Sequence, residues 1–141
     1  MTLGSRDKVV HFLNRAQQFL DGMGQLKEDK GNAAALLAVH SAISFTDAIR
    51  VHFTGQRGKG DDHSEAATAL RDLCLARHAD ASGIKHLNWL LGKKTLIAYG
   101  DDRLDQTAHL GRAFLSAERF AAWVNRTFPE VTRKDLGHDR D

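Results

Sequence analysis

Residues 105–129 read DQTAHLGRAFLSAERFAAWVNRTFP, and this stretch decides the fold class. Leu110, Ala113, Phe114, Ala117, Phe120, Ala121, Val124 and Phe128 recur three and four residues apart, which gathers them on one stripe of a helix. Asp105 is placed to cap the start, its carboxylate accepting from a free first-turn amide. Pro129 stops the end, because its ring disfavours helical backbone at the preceding residue.

The same period extends outward through the chain. From Ser5, an N-cap candidate, to Met23, the residues Val9, Phe12, Leu13, Ala16, Phe19, Leu20 and Met23 form one apolar stripe, and Gly22 and Gly24 mark the exit. From Asn32, a second N-cap candidate, to about Phe53 the chain is apolar nearly all round, and Gly55 closes it. A helix of that kind belongs in the middle of a bundle. Asp62 and Glu65 have capping-box spacing and open a third helix to about His78, with Ala66, Leu70, Leu73, Cys74 and Arg77 on one side. A fourth runs from near Ser82 to just before Gly100, with Ile84, Leu87, Leu91 and Ala98 inward. No segment alternates as a strand would. The expectation is an all-α, antiparallel four- to five-helix bundle over residues 1–130, followed by a polar tail over 131–141.

Composition agrees with one globular domain: 141 residues, 42% hydrophobic, 27% charged, with a single proline. A net charge of +2 is too nearly balanced to argue for nucleic-acid binding by bulk charge. The lone Cys74 excludes an intramolecular disulfide and suits a reducing cytoplasm. Residues 1–6 lack a signal-peptide apolar run, and the longest such run, Ala33 to Val39, is too short to cross a bilayer. No membrane association is expected.

Several motifs resemble chemistry without the context that chemistry needs. Gly58-Lys59-Gly60 and Gly92-Lys93-Lys94-Thr95 echo a phosphate loop, but neither has the full glycine-to-lysine spacing or follows a strand. Among eight histidines no two are three or four apart, so no helix offers a ready metal-binding pair, and no metal or other cofactor is expected. Cys74, between Leu70 and Arg77, reads as a small core residue. Two features remain. In the second helix His40, Ser44 and Asp47 share a narrow sector, with Arg50 one turn on. Buried polar groups need partners, so Asp47 is expected to bond Ser44 or pair with Arg50 in a seam that fixes helix register. On the fourth helix Trp89, Lys93 and Leu96 read as an outer face beside Lys94, with Tyr99 and Asp101 at its end. Trp89 and Leu96 there point to a homodimer interface.

These pieces, taken in order, resemble HEPN-domain proteins. The likeness is carried by Ala42-Ile43-Ser44-Phe45-Thr46-Asp47-Ala48-Ile49-Arg50, by His63-Ser64, by Lys94-Thr95-Leu96-Ile97-Ala98-Tyr99-Gly100 and by Ala117-Glu118-Arg119-Phe120-Ala121-Ala122-Trp123-Val124. It spans roughly residues 5 to 128. The resemblance implies a helical bundle, commonly homodimeric, in a family of RNases, toxins of toxin–antitoxin pairs and non-catalytic nucleotide- or RNA-associated modules. It also implies a nucleotidyltransferase or an antitoxin as partner. The family's RNases carry an arginine and, four to six residues on, a histidine in the penultimate long helix. Here Lys93 and Lys94 stand for the arginine, and Ala98 or Tyr99 for the histidine. Tyrosine, with an unperturbed pKa of about 10, is a poor base at neutral pH, and lysine lacks the bidentate fork of arginine. The resemblance therefore implies a binding module for a nucleotide, an RNA end or a partner protein, with Lys93, Lys94, Tyr99, Asp101, Arg50, Asp47, His40 and His63 as candidate binding residues. The alternatives are an RNase toxin with a rearranged centre using His40 or His63, and a purely structural interaction module.

Overall fold

The computed structural model describes residues 3–57, 64–99 and 106–133, and the regular elements among them are all helical. In chain order they are α1 (Leu3–Leu26), α2 (Gly31–Thr54), α3 (Ser64–Arg77), α4 (Ile84–Tyr99), α5 (Gln106–Thr127) and the single-turn α6 (Pro129–Thr132). α2 is the hub. It packs along α1 as an antiparallel hairpin and also touches α3, α4, α5 and α6. Its burial on almost every side follows from its small and apolar residues: Ala34, Ala35, Ala38, Val39, Ala42, Ala48 and Ile49 are all inaccessible or nearly so. By length and composition alone α2 could cross a membrane, yet 67% of its most apolar window is buried in the bundle. That is the pattern of a core helix whose apolar surface is already covered.

Glycine and serine set the closeness of the α1–α2 hairpin. Ser41 Oγ donates to the carbonyl of Ala16 at 2.9 Å across the interface. A Cβ on Gly22 would come within 3.0 Å of Leu37 Cδ1, so this glycine serves packing and does not end the helix. α1 runs through Gly22 and Gly24 to Leu26, and Ser5 lies inside it. Asn32 is likewise not a cap: α2 starts one residue earlier, with Lys30 at the cap position and no side-chain bond there. The other end is as expected. Gly55 adopts the left-handed region (φ 81°) and its N–H returns to the Val51 carbonyl at 2.8 Å. Asp62 and Asp105 lie outside the described residues.

The α3–α4 corner is built on Asp80. Its carboxylate accepts from Ser82 N–H at 2.9 Å and from Ser82 Oγ at 2.8 Å. Its carbonyl accepts from Trp123 Nε1 at 3.0 Å. α4 then buries Ile84, Leu87 and Leu90. Leu91 is only half-buried and Ala98 is exposed, so the inward ridge of α4 lies one residue round from the expected one. α5 buries Ala113, Ala117, Phe120, Ala121 and Val124 as its stripe requires, and adds Ser116 and Trp123. Pro129 ends α5 and opens α6 as its first residue, where a missing N–H costs nothing. Val131 is therefore core and not the start of a polar tail. Arg6 fastens this last turn to α1, donating from Nη1 to the Val131 carbonyl at 3.2 Å and from Nη2 to the Arg133 carbonyl at 2.9 Å.

Candidate functional site

Among the described residues, Ser44, Asp47 and Arg50 do not form the closed network that their spacing implies. Ser44 is buried, while His40, Asp47 and Arg50 are half-buried. Arg50 turns away from Asp47: its Nη2 donates to Glu65 Oε1 at 3.3 Å. Its Nε is buried with no hydrogen-bond partner among the described residues. His40 packs against Phe19 at 5.7 Å between ring centroids, and the Arg15 guanidinium lies 5.6 Å from the same ring. Burial pushes the Asp47 carboxyl up to about 6, and this outweighs the downward pull of Arg57, Arg50 and Arg15. Asp47 is thus a carboxylate partly stripped of water, with positive charge nearby but no hydrogen bond from Ser44 or Arg50 among the described residues. His63 lies outside those residues. Cys74 is buried, and that burial, followed by the Asp80 charge, holds its thiol above the usual range, which suits a core residue and not a nucleophile.

The second half of α4 leaves Lys93, Lys94 and Leu96 half-buried and Thr95 exposed. Tyr99 is the last residue of the helix, and Asp101 lies outside the described residues. Trp89 does not stand on a bare outer face. It is half-buried and packs on the core, and α5 covers it: the Arg112 guanidinium carbon is 4.8 Å from its ring centroid, and His109 stacks on it at 6.5 Å and 27°.

The Trp89–Arg112 pair forms one wall of a 610 Å³ groove between α4 and α5. α4 contributes Lys85, His86 and Trp89, one helical turn that lies beside the buried ridge of Ile84, Leu87 and Leu90. α5 contributes Arg112, Leu115 and Arg119, which flank its buried stripe at three- and seven-residue spacing, together with the buried Ser116. Leu115 is 42% exposed, an apolar surface within a cationic frame, while Ser116 is 4% exposed. Among the described residues no carboxylate lines the groove. His86 is held below the ordinary histidine value by burial first, then by the positive charges of Lys85, Arg119 and Arg112, so its imidazole is neutral at pH 7.

Sequence reasoning singles out Trp89 but not Lys85, His86, Arg112 or Arg119 as a group. The available signal lies within each helix: Lys85 and Trp89 one turn apart, Arg112 and Arg119 two turns apart. What unites them is the register of α4 against α5, which periodicity does not contain.

A second groove of 470 Å³ between α1 and α2 is lined by charges of both signs, Asp7 with Lys8 and Arg57. Among the described residues no three His, Cys, Asp or Glu side chains gather to hold a metal ion. The basic groove between α4 and α5 is therefore the candidate site. Comparison of the chain with family models, with curated proteins and with solved structures gave no match.

Proposed function

We propose that this chain is a HEPN-like binding module that holds an anionic ligand, a nucleotide or an RNA end, in the α4–α5 groove without cleaving it. One observation carries the reading: three permanent cations and an imidazole line a groove that no described carboxylate enters. A surface patch of lysines would be weak support, because solvated cations are ordinary. Here the guanidinium of Arg112 rests on an indole face, which orients it before any ligand arrives.

The test is fluorescence anisotropy with a labelled short RNA and a labelled nucleotide, titrated at several salt concentrations. The Arg112→Ala, Arg119→Ala double variant should bind at least about tenfold more weakly. Its salt dependence should also be shallower, by about one counterion for each phosphate the variant no longer neutralises. Absence of binding at low salt, or binding indifferent to both substitutions, would reject the reading. The HEPN likeness also carries the proposals of a homodimer and of a nucleotidyltransferase or antitoxin partner in the cytoplasm. Since α5 already covers Trp89, Leu96 is the better probe of a dimer interface: light scattering on Leu96→Asp should report dissociation. The second reading, an RNase with a divergent centre, draws support from the neutral imidazole of His86 beside Arg112 and Arg119.

A further inference from the structure

Resting on the α4–α5 groove as an anion site, we infer that the groove recognises a terminal phosphate monoester and discriminates against internal phosphodiesters, with His86 as the donor that completes the site.

Charge makes the first distinction. An internal phosphodiester carries one negative charge, whereas a monoester approaches two near neutral pH and presents three terminal oxygens. Lys85, Arg112 and Arg119 surround one groove with no described carboxylate to balance them. Arg112 and Arg119 are seven residues apart, about 10 Å along the helix axis, so they border the two ends of a short groove. At 610 Å³ the space is of the size that holds one compact ligand. The exposed side chain of Leu115 offers the sugar or base behind the phosphate an apolar rest.

His86 makes the second distinction. Burial and the facing charges of Lys85 on its own helix, and of Arg119 and Arg112 on α5, keep its ring unprotonated when the groove holds no anion. The other titratable ring on this wall, His109, stacks on Trp89. A phosphate dianion reverses the local field, favours the imidazolium and gains a second ring N–H as a donor. A diester, already over-compensated by three cations, does so much less. Binding of a monoester is therefore accompanied by proton uptake. Its affinity rises as pH falls from 8 towards 6.5, and levels off where the phosphate takes its own second proton, near about pH 6.

The experiment uses the full chain and three probes: a 3′-labelled ten-nucleotide RNA with a 5′-phosphate, the same RNA with a 5′-hydroxyl, and a free nucleoside 5′-monophosphate as competitor. At pH 6.5 the phosphorylated RNA should bind at least about tenfold more tightly than its hydroxyl twin. Calorimetry in two buffers of different ionisation enthalpy should show proton uptake near pH 7. His86→Gln, checked for folding by circular dichroism, should lose the uptake and most of the preference. Competition by the free monophosphate at concentrations like those of the RNA identifies a small phosphorylated molecule as the natural source, and a large advantage for the RNA identifies a strand end. Equal binding of the two RNAs, with Arg112→Ala still weakening both, overturns the monoester inference and leaves the anion site standing. No binding of any probe, or no effect of Arg112→Ala and Arg119→Ala, overturns both. A preference that survives intact in His86→Gln removes His86 from the site.

Discussion

Replacing Asp47 by Asn should stabilise the protein, although Asp47 sits in the middle of its central helix. The carboxyl titrates at about 6 in the fold against an ordinary value of 3.8, because loss of water outweighs the attraction of Arg57, Arg50 and Arg15. The native state therefore holds this proton more tightly than the unfolded chain. Ionisation costs little below about pH 4, costs progressively more as pH rises, and is fully in force above about 6. The difference between 3.8 and about 6 corresponds to about 3 kcal/mol. Asp47 is only half-buried, and screening by the water that still reaches it reduces the expectation to about 1–2 kcal/mol. Asn resembles the protonated carboxyl in size and lacks the charge. At pH 7.5, urea denaturation followed by far-ultraviolet circular dichroism should find Asp47→Asn more stable by about 1–2 kcal/mol, and at about pH 4 the difference should nearly vanish. A gain of the same size at both pH values would show that charge is not the cause. A loss of about 2 kcal/mol at pH 7.5 would restore the internal hydrogen-bond seam that the spacing of His40, Ser44 and Asp47 implies.

Three further outcomes follow from single residues. A Cβ on Gly83 would overlap the Trp123 ring, whose Nε1 is fixed to the Asp80 carbonyl, so Gly83→Ala should lower stability by about 2–3 kcal/mol or prevent folding, read by thermal denaturation. His52 keeps a buried Nδ1 without a partner among the described residues, and burial holds the ring below the ordinary histidine value, against the opposing pull of Glu130. Stability should fall as pH drops through 6.5, where the unfolded chain begins to take up this proton, and a denaturation series from pH 7.5 to 5.5 should be flatter in His52→Phe. Labelled tRNA and mRNA incubated with the protein in EDTA should stay intact; cleavage that disappears in Lys94→Ala or Tyr99→Phe would put the RNase reading first.

The fold is legible in the sequence wherever one helix decides its own burial. The α5 stripe from Ala113 to Val124 and the all-round apolarity of α2 are properties of local sequence, and burial follows them closely. Differences arise where a residue type has two uses. Gly22 reads as a helix stop but permits close approach of Leu37. Pro129 reads as an end but also begins a turn that carries Val131 into the core. The inward ridge of α4 departs from expectation for a related reason. Trp89 and Leu90 are both large and apolar, and only the direction from which α5 approaches decides that Leu90 is fully buried while Trp89 becomes a groove wall.

The candidate site is legible only in fragments, and the cause is physical. The chain has 20 Lys and Arg against 18 Asp and Glu, so its overall balance conceals any local excess. Three cations elsewhere in the bundle meet carboxylates: Arg50 meets Glu65, Arg77 meets Glu130, and Lys27 approaches Glu118 at 4.0 Å. The α4–α5 groove differs from those three pairs: among the described residues no carboxylate lines it, and Lys85, Arg112 and Arg119 converge around a histidine whose uncharged form they favour. Convergent like charges raise the free energy of the folded state, if only modestly where water screens them. Arg112 is moreover committed to the Trp89 face, so swinging outward would sacrifice its cation–π attraction to the indole. An arrangement that is mildly unfavourable by itself and fixed in direction becomes favourable once a ligand supplies the missing negative charge. That is the physical distinction between this groove and the neighbourhood of Asp47, where the chain supplies the negative charge itself.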